Sequence, residues 1–220
     1  MALGNGYDES KWVAERLLQL AAEQTSLRPI IVRAGQVCGS SNGHWEATEW
    51  LPCVLRSATL VKCLPDSPIV CDFCLGPVGN SLTKNIQNID WVPLVVAGSA
   101  IAEIRNTSSS IVHITHPKPV SWRYVFCRVA QTLGVPVVPF HDWLGRLEPL
   151  AATSKDKETL AVALLDTYRT VDSSATKIFP RTSNENALRE SPTLAAARPL
   201  AEKDIDSWLS YWKNASLISF

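Results

Sequence analysis

A tyrosine and a lysine near the amino terminus have the spacing of an acid–base pair. The stretch 6–15 reads GYDESKWVAE, which places Tyr7 four positions before Lys11. Apolar residues recur around them at helical spacing, so the pattern predicts an amphipathic helix with phenol and ammonium on one face. A neighbouring cation lowers the pKa of a tyrosine from its reference of about 10. Tyr7 is therefore a candidate proton donor or acceptor near neutral pH.

A second pattern with catalytic spacing is Gly-x-Ser-x-Gly at residues 39–43. Ser41 could complete a hydrolase triad with a histidine and an aspartate from elsewhere in the chain. The candidates are His113, His116, His141, Asp66, Asp72 and Asp90. A nucleophile elbow needs a helix that begins directly after the serine, whereas Asn42 and Gly43 indicate a loop. A serine hydrolase of the α/β type remains the alternative.

Cysteines and histidines give no strong metal signal. Cys71 and Cys74 have the Cys-x-x-Cys spacing, but no second pair and no nearby histidine accompany them. His113 and His116 lie on a predicted strand, where residues three apart point to opposite faces. Six cysteines in a chain of this length do not indicate a disulfide framework. We therefore expect no metal site.

The stretch 6–15 resembles the active-site helix of the extended short-chain dehydrogenase/reductases. It is most similar to the NAD-binding thioester reductase domains that end fungal adenylate-forming reductases and some nonribosomal peptide synthetases. In that family the tyrosine gives a proton to the reduced carbonyl oxygen, and the lysine holds the nicotinamide ribose. These roles would fall on Tyr7 and Lys11. The following Arg-x-Gly-Gln segment also resembles the family, and it implies cofactor contacts at Ala34, Gly35 and Gln36.

The resemblance implies a reaction, a cofactor and a partner. Hydride from NADPH would reduce an acyl thioester held on the phosphopantetheine arm of a carrier domain, and the thiohemiacetal would collapse to an aldehyde and a thiol. The family's Gly-rich phosphate loop should precede the active-site helix, but six residues precede Tyr7. We therefore interpret the chain as the carboxyl-terminal portion of such a domain. A non-catalytic truncated remnant is a further alternative.

Composition limits the partners and the compartment. The chain has 220 residues, of which 46% are hydrophobic and 19% charged, and its 21 basic residues balance 21 acidic ones. Without a dense basic run, neither nucleic acid nor an anionic membrane is an expected partner. No signal peptide and no apolar run of membrane-spanning length is visible, so the cytoplasm is the expected location.

The order of elements predicts an α/β fold of the Rossmann type. The short β-branched run 30–37 follows the Tyr7 helix as a buried parallel strand would. A helix is predicted around Glu46 to Leu60, a strand over 111–117, and a helix capped by Ser121. We predict a reductase core over residues 1–115, cut before the active-site helix. A small, mostly helical, substrate-side lobe would follow over 116–220.

Three segments depart from the family or from regular structure. Residues 66–87 have no period and are interpreted as an insertion, expected to be exposed and disordered. Leu94 and Val95 stand where the family has an aspartate that caps the next helix, so that helix should begin without a side-chain cap. The polar stretch 169–197 is expected to be a mobile connection.

Overall fold

The computed structural model describes residues 6–66, 88–107, 110–153, 165–166, 168–169 and 182–218. Its α-helices are α1 (Gly6–Gln24), α2 (Trp50–Val61), α3 (Leu94–Glu103), α4 (Trp122–Leu133), α5 (Phe140–Thr153), α6 (Glu185–Glu190), α7 (Pro192–Ala195) and α8 (Glu202–Asn214). Its strands are β1 (Ile31–Ala34), β2 (Val37–Cys38), β3 (Leu64–Pro65), β4 (Asn88–Ile89), β5 (Val92–Pro93), β6 (Ile111–Ile114), β7 (Val120–Ser121) and β8 (Val137–Val138). The predicted insertion lies outside the described residues, apart from Asp66, and so does the Cys71–Cys74 pair.

The strand predicted over 30–37 is divided into two short strands with different partners. β1 pairs in parallel with β6, from Ile31 opposite Ile111 to Ala34 opposite Ile114. β2 then pairs in parallel with β5. The change of partner occurs at Gly35 and Gln36, whose backbones bond to Ile114 on one side and Val92 on the other. The break in the ladder therefore falls at the carboxyl end of β1.

The remaining described strands form two small pairs, each of which joins the first half of the chain to the second. β3 pairs in parallel with β8, and β4 pairs antiparallel with β7. The strand predicted over 111–117 is shorter than expected, because the backbone leaves the ladder after Ile114. Helices between parallel strands are the arrangement of an α/β fold.

α2 begins at Trp50, later than the sequence predicted. The carboxylate of Glu46 accepts hydrogen bonds from the backbone N–H and the hydroxyl of Thr48, which holds the preceding residues in a turn. The first helical hydrogen bond runs from the Cys53 N–H to the Glu49 carbonyl. The helix ends at Lys62, whose φ of 55° is left-handed. A local polar contact thus replaces the first predicted turn of helix.

The predictions for the starts of the two helices that follow β5 and β7 are confirmed. Ser121 caps α4 by accepting a hydrogen bond from the Tyr124 N–H, at 3.1 Å. α3 begins after Pro93 with no side-chain cap, as the absence of an aspartate predicted. One helix start therefore carries a stabilising contact that the other lacks.

The prediction of a mobile connection over 169–197 is wrong for its last part. Residues 185–195 form α6 and α7, and the side chains of Ala187 and Leu194 are fully buried. The Ser191 hydroxyl accepts from the Leu194 N–H at 3.0 Å and donates to the Glu103 carboxylate. The polar residues of this stretch form caps and contacts with α3, which composition alone does not reveal.

Buried side chains form two clusters among the described residues. The smaller one joins β5, α3 and β6 with Ala187 and Leu194. The larger one packs α2, α4, α5 and α8 together. Its largest side chains are aromatic: Trp45, Trp91, Trp122, Phe126, Phe140, Trp143, Tyr168, Trp208 and Trp212. Each cluster contains residues from both sides of position 115, and the division there stays a prediction.

Candidate functional site

Tyr7 and Lys11 both lie in the first turns of α1. The helix runs from Gly6 to Gln24, as the sequence predicted. Four residues of α-helix rise by about 6 Å, so the two positions share a face one turn apart. The Lys11 side chain is exposed. The backbone positions of Tyr7 and Lys11 are therefore neighbours on one face of α1.

An exposed ion pair links α1 to β1. The Arg33 guanidinium donates to both Glu15 carboxylate oxygens, at 2.9 and 2.5 Å. The hydrogen bond from Arg33 lowers the pKa of Glu15 against the opposing effect of desolvation. Six residues, 25–30, join the helix to the strand, and this short connection indicates that α1 runs antiparallel to β1. The first turns of α1 then lie toward the carboxyl end of β1, where parallel α/β sheets bind ligands.

Ala34, Gly35 and Gln36 occupy that end. The Gly35 N–H bonds to the Ile114 carbonyl at 2.9 Å. A Cβ at Gly35 would lie 3.2 Å from Thr115 Cγ2 and 3.5 Å from the Ile114 oxygen. Glycine thus permits a close approach of the chain to the end of β6. The structure brings these three residues together with Thr115.

The Gln36 amide is engaged in internal hydrogen bonds. It donates to the Glu49 carboxylate at 2.9 Å and to the Val37 carbonyl at 2.7 Å, and it accepts from the Trp50 indole at 2.8 Å. The Trp45 indole also donates to Glu49, at 3.1 Å. This network ties the loop after β1 to the start of α2. The side chain of Gln36 therefore supports the loop geometry, a role that no local sequence pattern indicated.

His116, which the sequence suggested only as a possible member of a hydrolase triad, is a buried residue just after β6. Its Nε2–H donates to the Arg198 carbonyl, and its Nδ1 accepts from the Lys118 N–H, both at 3.0 Å. These partners select the neutral Nε2–H tautomer. Desolvation lowers the pKa of His116. The histidine joins the candidate site to the carboxyl-terminal segment. The one sequence feature that marked this position was the proline that follows it.

Asp90 approaches the same region from the chain before β5. Its carbonyl accepts from the His116 N–H at 2.9 Å, and a Cβ at Gly35 would lie 3.9 Å from its Oδ1. Desolvation by the surrounding chain raises the pKa of the Asp90 carboxyl, although solvent still reaches the side chain. Among the described residues, no group of histidines, cysteines and carboxylates could hold a metal ion.

Ser41 lacks the geometry of a hydrolase nucleophile. It lies in the loop after β2, and α2 begins only at Trp50. The neighbouring Ser40 hydroxyl donates to the Asn42 side chain at 2.5 Å, which belongs to the internal structure of the loop. Ser41 makes no hydrogen bond to a histidine within the described part of the chain. The alternative of a serine hydrolase is therefore not supported.

Comparisons with known sequences confirm the resemblance predicted from the Tyr7 helix. Residues 1–73 match the sequence profile of the NAD-binding family described as male sterility protein. The adenylate-forming reductase Nps10 of Heterobasidion annosum is 36% identical over 97% of the chain. Nps11 of Serpula lacrymans var. lacrymans, also named as an adenylate-forming reductase, is 26% identical over 97%. The chain spans 20% of the length of each of these relatives.

Solved structures confirm the fold. The terminal R domain from the myxalamid PKS-NRPS pathway superposes with a TM-score of 0.72, at 20% identity, over 99% of this chain and 52% of that one. The reductase domain of a nonribosomal peptide synthetase from Mycobacterium tuberculosis superposes with a TM-score of 0.64, at 18% identity. The chain thus has the Rossmann-type fold of these reductase domains and spans about half of their length. None of the described helices is long and apolar enough to cross a membrane.

Proposed function

We propose that this chain is part of a thioester reductase domain, which reduces an acyl thioester to an aldehyde. The observation that carries the proposal is the 36% identity to an adenylate-forming reductase over nearly the whole chain. A helix that presents Tyr7 and Lys11 near the carboxyl end of a parallel strand supports it. The substrate would be bound through phosphopantetheine to a carrier domain, the proposed partner.

Tyr7 is the proposed proton donor. Hydride addition to the thioester carbonyl carbon places negative charge on the carbonyl oxygen, and the Tyr7 phenol gives its proton to that oxygen. The resulting thiohemiacetal loses the thiol of the arm and leaves an aldehyde. A positioned acid of this kind contributes roughly two to four orders of magnitude to the rate. Lys11 is proposed to favour the phenolate that Tyr7 becomes after the proton transfer.

The proposed cofactor is NADPH, which supplies the hydride when it is bound. The exposed ammonium of Lys11 suits the hydroxyl groups of a ribose. Gly35 lets the backbone after β1 pack closely against Thr115, which positions this segment at the edge of the proposed cleft. Ala34 and Gly35 are proposed to line the cofactor cleft, and Gln36 is proposed to hold that cleft through its bonds to Glu49 and Trp50.

The proposed organisation assigns the two parts of the chain different tasks. Residues 1–115 would carry the cofactor side of the site, and residues 116–220 would form the lobe that admits the acyl arm. His116 and the end of β6 lie at the junction. This division supplies a place for the carrier domain on the lobe side.

The proposal is tested by completing the domain. The amino-terminal half of the reductase domain of the Heterobasidion relative is fused before residue 6, and oxidation of NADPH is followed with an acyl thioester on a carrier domain. We expect turnover that requires both the carrier-bound thioester and the added half. The 220-residue chain alone is the matched control, and it should give no turnover. A completed, folded domain that oxidises no NADPH with any carrier-bound acyl chain would contradict the proposal.

A further inference from the structure

A pocket of about 170 Å³ opens between the loop after β2, the start of α3 and the first turns of α8. Its volume is below the roughly 300–1,000 Å³ of sites for drug-sized ligands, so it suits one segment of a longer molecule. Its walls are apolar at Pro93, Val95, Val96 and Leu200. The loop with the Gly-x-Ser-x-Gly pattern supplies one side, which gives that pattern a structural role.

Trp208 lines this pocket, and its indole carries an unused hydrogen-bond donor. The residue is 2% exposed, yet its indole N–H has no hydrogen-bond partner within the described part of the chain. No fully buried side-chain nitrogen or oxygen among the described residues lacks a partner, so solvent must reach this N–H. The indole N–H of a buried tryptophan usually has a partner, as Trp143 and Trp212 have here. The Trp208 donor is therefore available to a ligand.

Gly39 allows the Trp208 indole to take this position. A Cβ at Gly39 would lie 2.3 Å from Trp208 Nε1 and 2.4 Å from its Cδ1, which is sterically impossible. The backbone of the loop thus packs directly against the indole edge. Nearby, the Ser41 side chain lines the pocket and has no hydrogen-bond partner among the described residues, so it offers a second donor.

The charged groups at the pocket neutralise each other. The Arg198 guanidinium bonds to both Asp204 carboxylate oxygens, at 2.7 and 2.6 Å, and Asp204 also accepts from the Ala201 N–H. Desolvation raises the pKa of Asp204, but the bonds from Arg198 and Ala201 outweigh it and leave the pKa lowered. The pocket therefore presents donors and apolar walls without a net charge. Such a lining suits an uncharged carbonyl group flanked by methylene or methyl groups.

We propose that this pocket binds an uncharged, amide-containing segment of the substrate arm, whose carbonyl oxygen accepts a hydrogen bond from the Trp208 indole. The assignment rests on the proposed function, since a phosphopantetheine arm carries amides between methylene groups. The location is suitable, because Gly39 follows Gln36 by three residues and lies at most about 11 Å from it along the chain. The pocket would hold the arm while the thioester reaches the end of β1.

The probe for this proposal is N-acetylcysteamine, a small neutral amide that ends in a thiol. It is titrated into the 15N-labelled 220-residue chain, and the indole N–H signals are followed by NMR. Trp208→Phe identifies the Trp208 signal by its disappearance. We expect that signal to shift with a saturable dissociation constant in the millimolar range, as for a weak fragment. The Trp143 and Trp212 signals, whose donors are already engaged, should stay in place and report an intact fold.

Matched variants and a matched anion separate the possible outcomes. Val95→Trp narrows the pocket and should weaken binding at least tenfold, roughly the effect of losing one well-placed contact. Leu94→Trp adds the same ring at the neighbouring exposed position outside the pocket, so affinity should change less than about twofold. A Trp208 signal that does not move, or that moves equally in both variants, overturns the proposal. A shift with acetate alone would identify an anion site at Arg198 and overturn it as well. Turnover of the completed domain is a separate measurement, so the reductase assignment can stand if the pocket fails.

Discussion

The first and last described helices carry their large apolar side chains in opposite environments. On α1, Trp12 is 51% exposed and Leu17 is 61% exposed. On α8, Trp208 is 2% exposed and Trp212 is fully buried. The large apolar side chains of α1 are thus far more exposed than those of α8. Stability and the proposed catalysis depend on different ends of the chain.

The contacts that hold the two helices differ in kind as well. α1 is joined to β1 by the exposed pair of Arg33 and Glu15. α8 instead packs into the tryptophan cluster, and its Trp212 indole donates to the Trp45 carbonyl at 3.0 Å. Burial of a large aromatic ring stabilises a fold by several kcal/mol, whereas an exposed ion pair adds little. Substitutions in the two helices should therefore differ strongly in their effect on unfolding.

The largest difference is expected between two tryptophans. Trp212→Ala removes a fully buried ring and should lower the free energy of unfolding by about 3–5 kcal/mol. Trp12→Ala removes a ring that is half exposed and should change it by less than about 0.5 kcal/mol. Urea unfolding followed by circular dichroism measures both. Equal losses would mean that α1 is packed as firmly as α8.

Two glycines provide the next test. Gly43 has φ of +83°, and a Cβ there would lie 2.0 Å from the Ser207 carbonyl of α8. Gly43→Ala should therefore destabilise the fold by about 2 kcal/mol or more. Gly98 lies in α3 with nothing near its Cβ direction, so Gly98→Ala should stabilise by about 0.5–1 kcal/mol. The comparison fails if both variants shift the urea midpoint in the same direction.

His116 should make the attachment of the carboxyl-terminal segment sensitive to pH. Its pKa in the folded chain is lowered from 6.5, mainly by desolvation, with Lys118 lowering it further and Asp90 opposing. The unfolded chain therefore binds more protons than the folded chain just below pH 6.5, so stability should fall as pH drops from 7 toward 5.

His116→Gln keeps a donor for the Arg198 carbonyl and removes the titration. The slope of unfolding free energy against pH should flatten in this variant. Urea midpoints of the wild-type chain and the variant at several pH values between 5 and 7 give the comparison, and parallel slopes for the two proteins would show that His116 contributes nothing.

The smallest effect is expected at the ion pair of α1. Arg33→Gln removes both hydrogen bonds to Glu15, but the pair is exposed and screened by water. The loss should be about 0–1 kcal/mol. Raising the salt concentration should lower the stability of the wild-type chain slightly and leave the variant less affected. A loss well beyond 1 kcal/mol would show that this pair, and not burial, holds α1 in place.

Local signals in the sequence predicted the elements whose causes are local. The helix with Tyr7 and Lys11 follows from apolar spacing, and the start of α4 follows from Ser121 as its cap. The uncapped start of α3 also follows from the residues beside it. These features depend on positions within one or two turns, so the sequence contains the whole cause.

The features that the sequence missed depend on distant partners. α6 and α7 are ordered by Ser191 and Thr193, which bond to Glu103 some 88 and 90 positions earlier. Asn184 donates to the Thr115 carbonyl across 69 positions. His116 is coupled to Arg198 across 82. Polar residues that look like a flexible connection gain fixed partners only when the chain is folded.

Turnover of Tyr7→Phe in the completed reductase domain tests the central claim most directly. Phenylalanine keeps the ring and removes the proton donor, so kcat with a carrier-bound acyl thioester should fall by roughly two to four orders of magnitude, with little change in NADPH affinity. Lys11→Ala should lower both kcat and NADPH affinity, and Val13→Ala on the same helix is the control with near wild-type values. Wild-type turnover in Tyr7→Phe would contradict the assignment of this helix as the catalytic element.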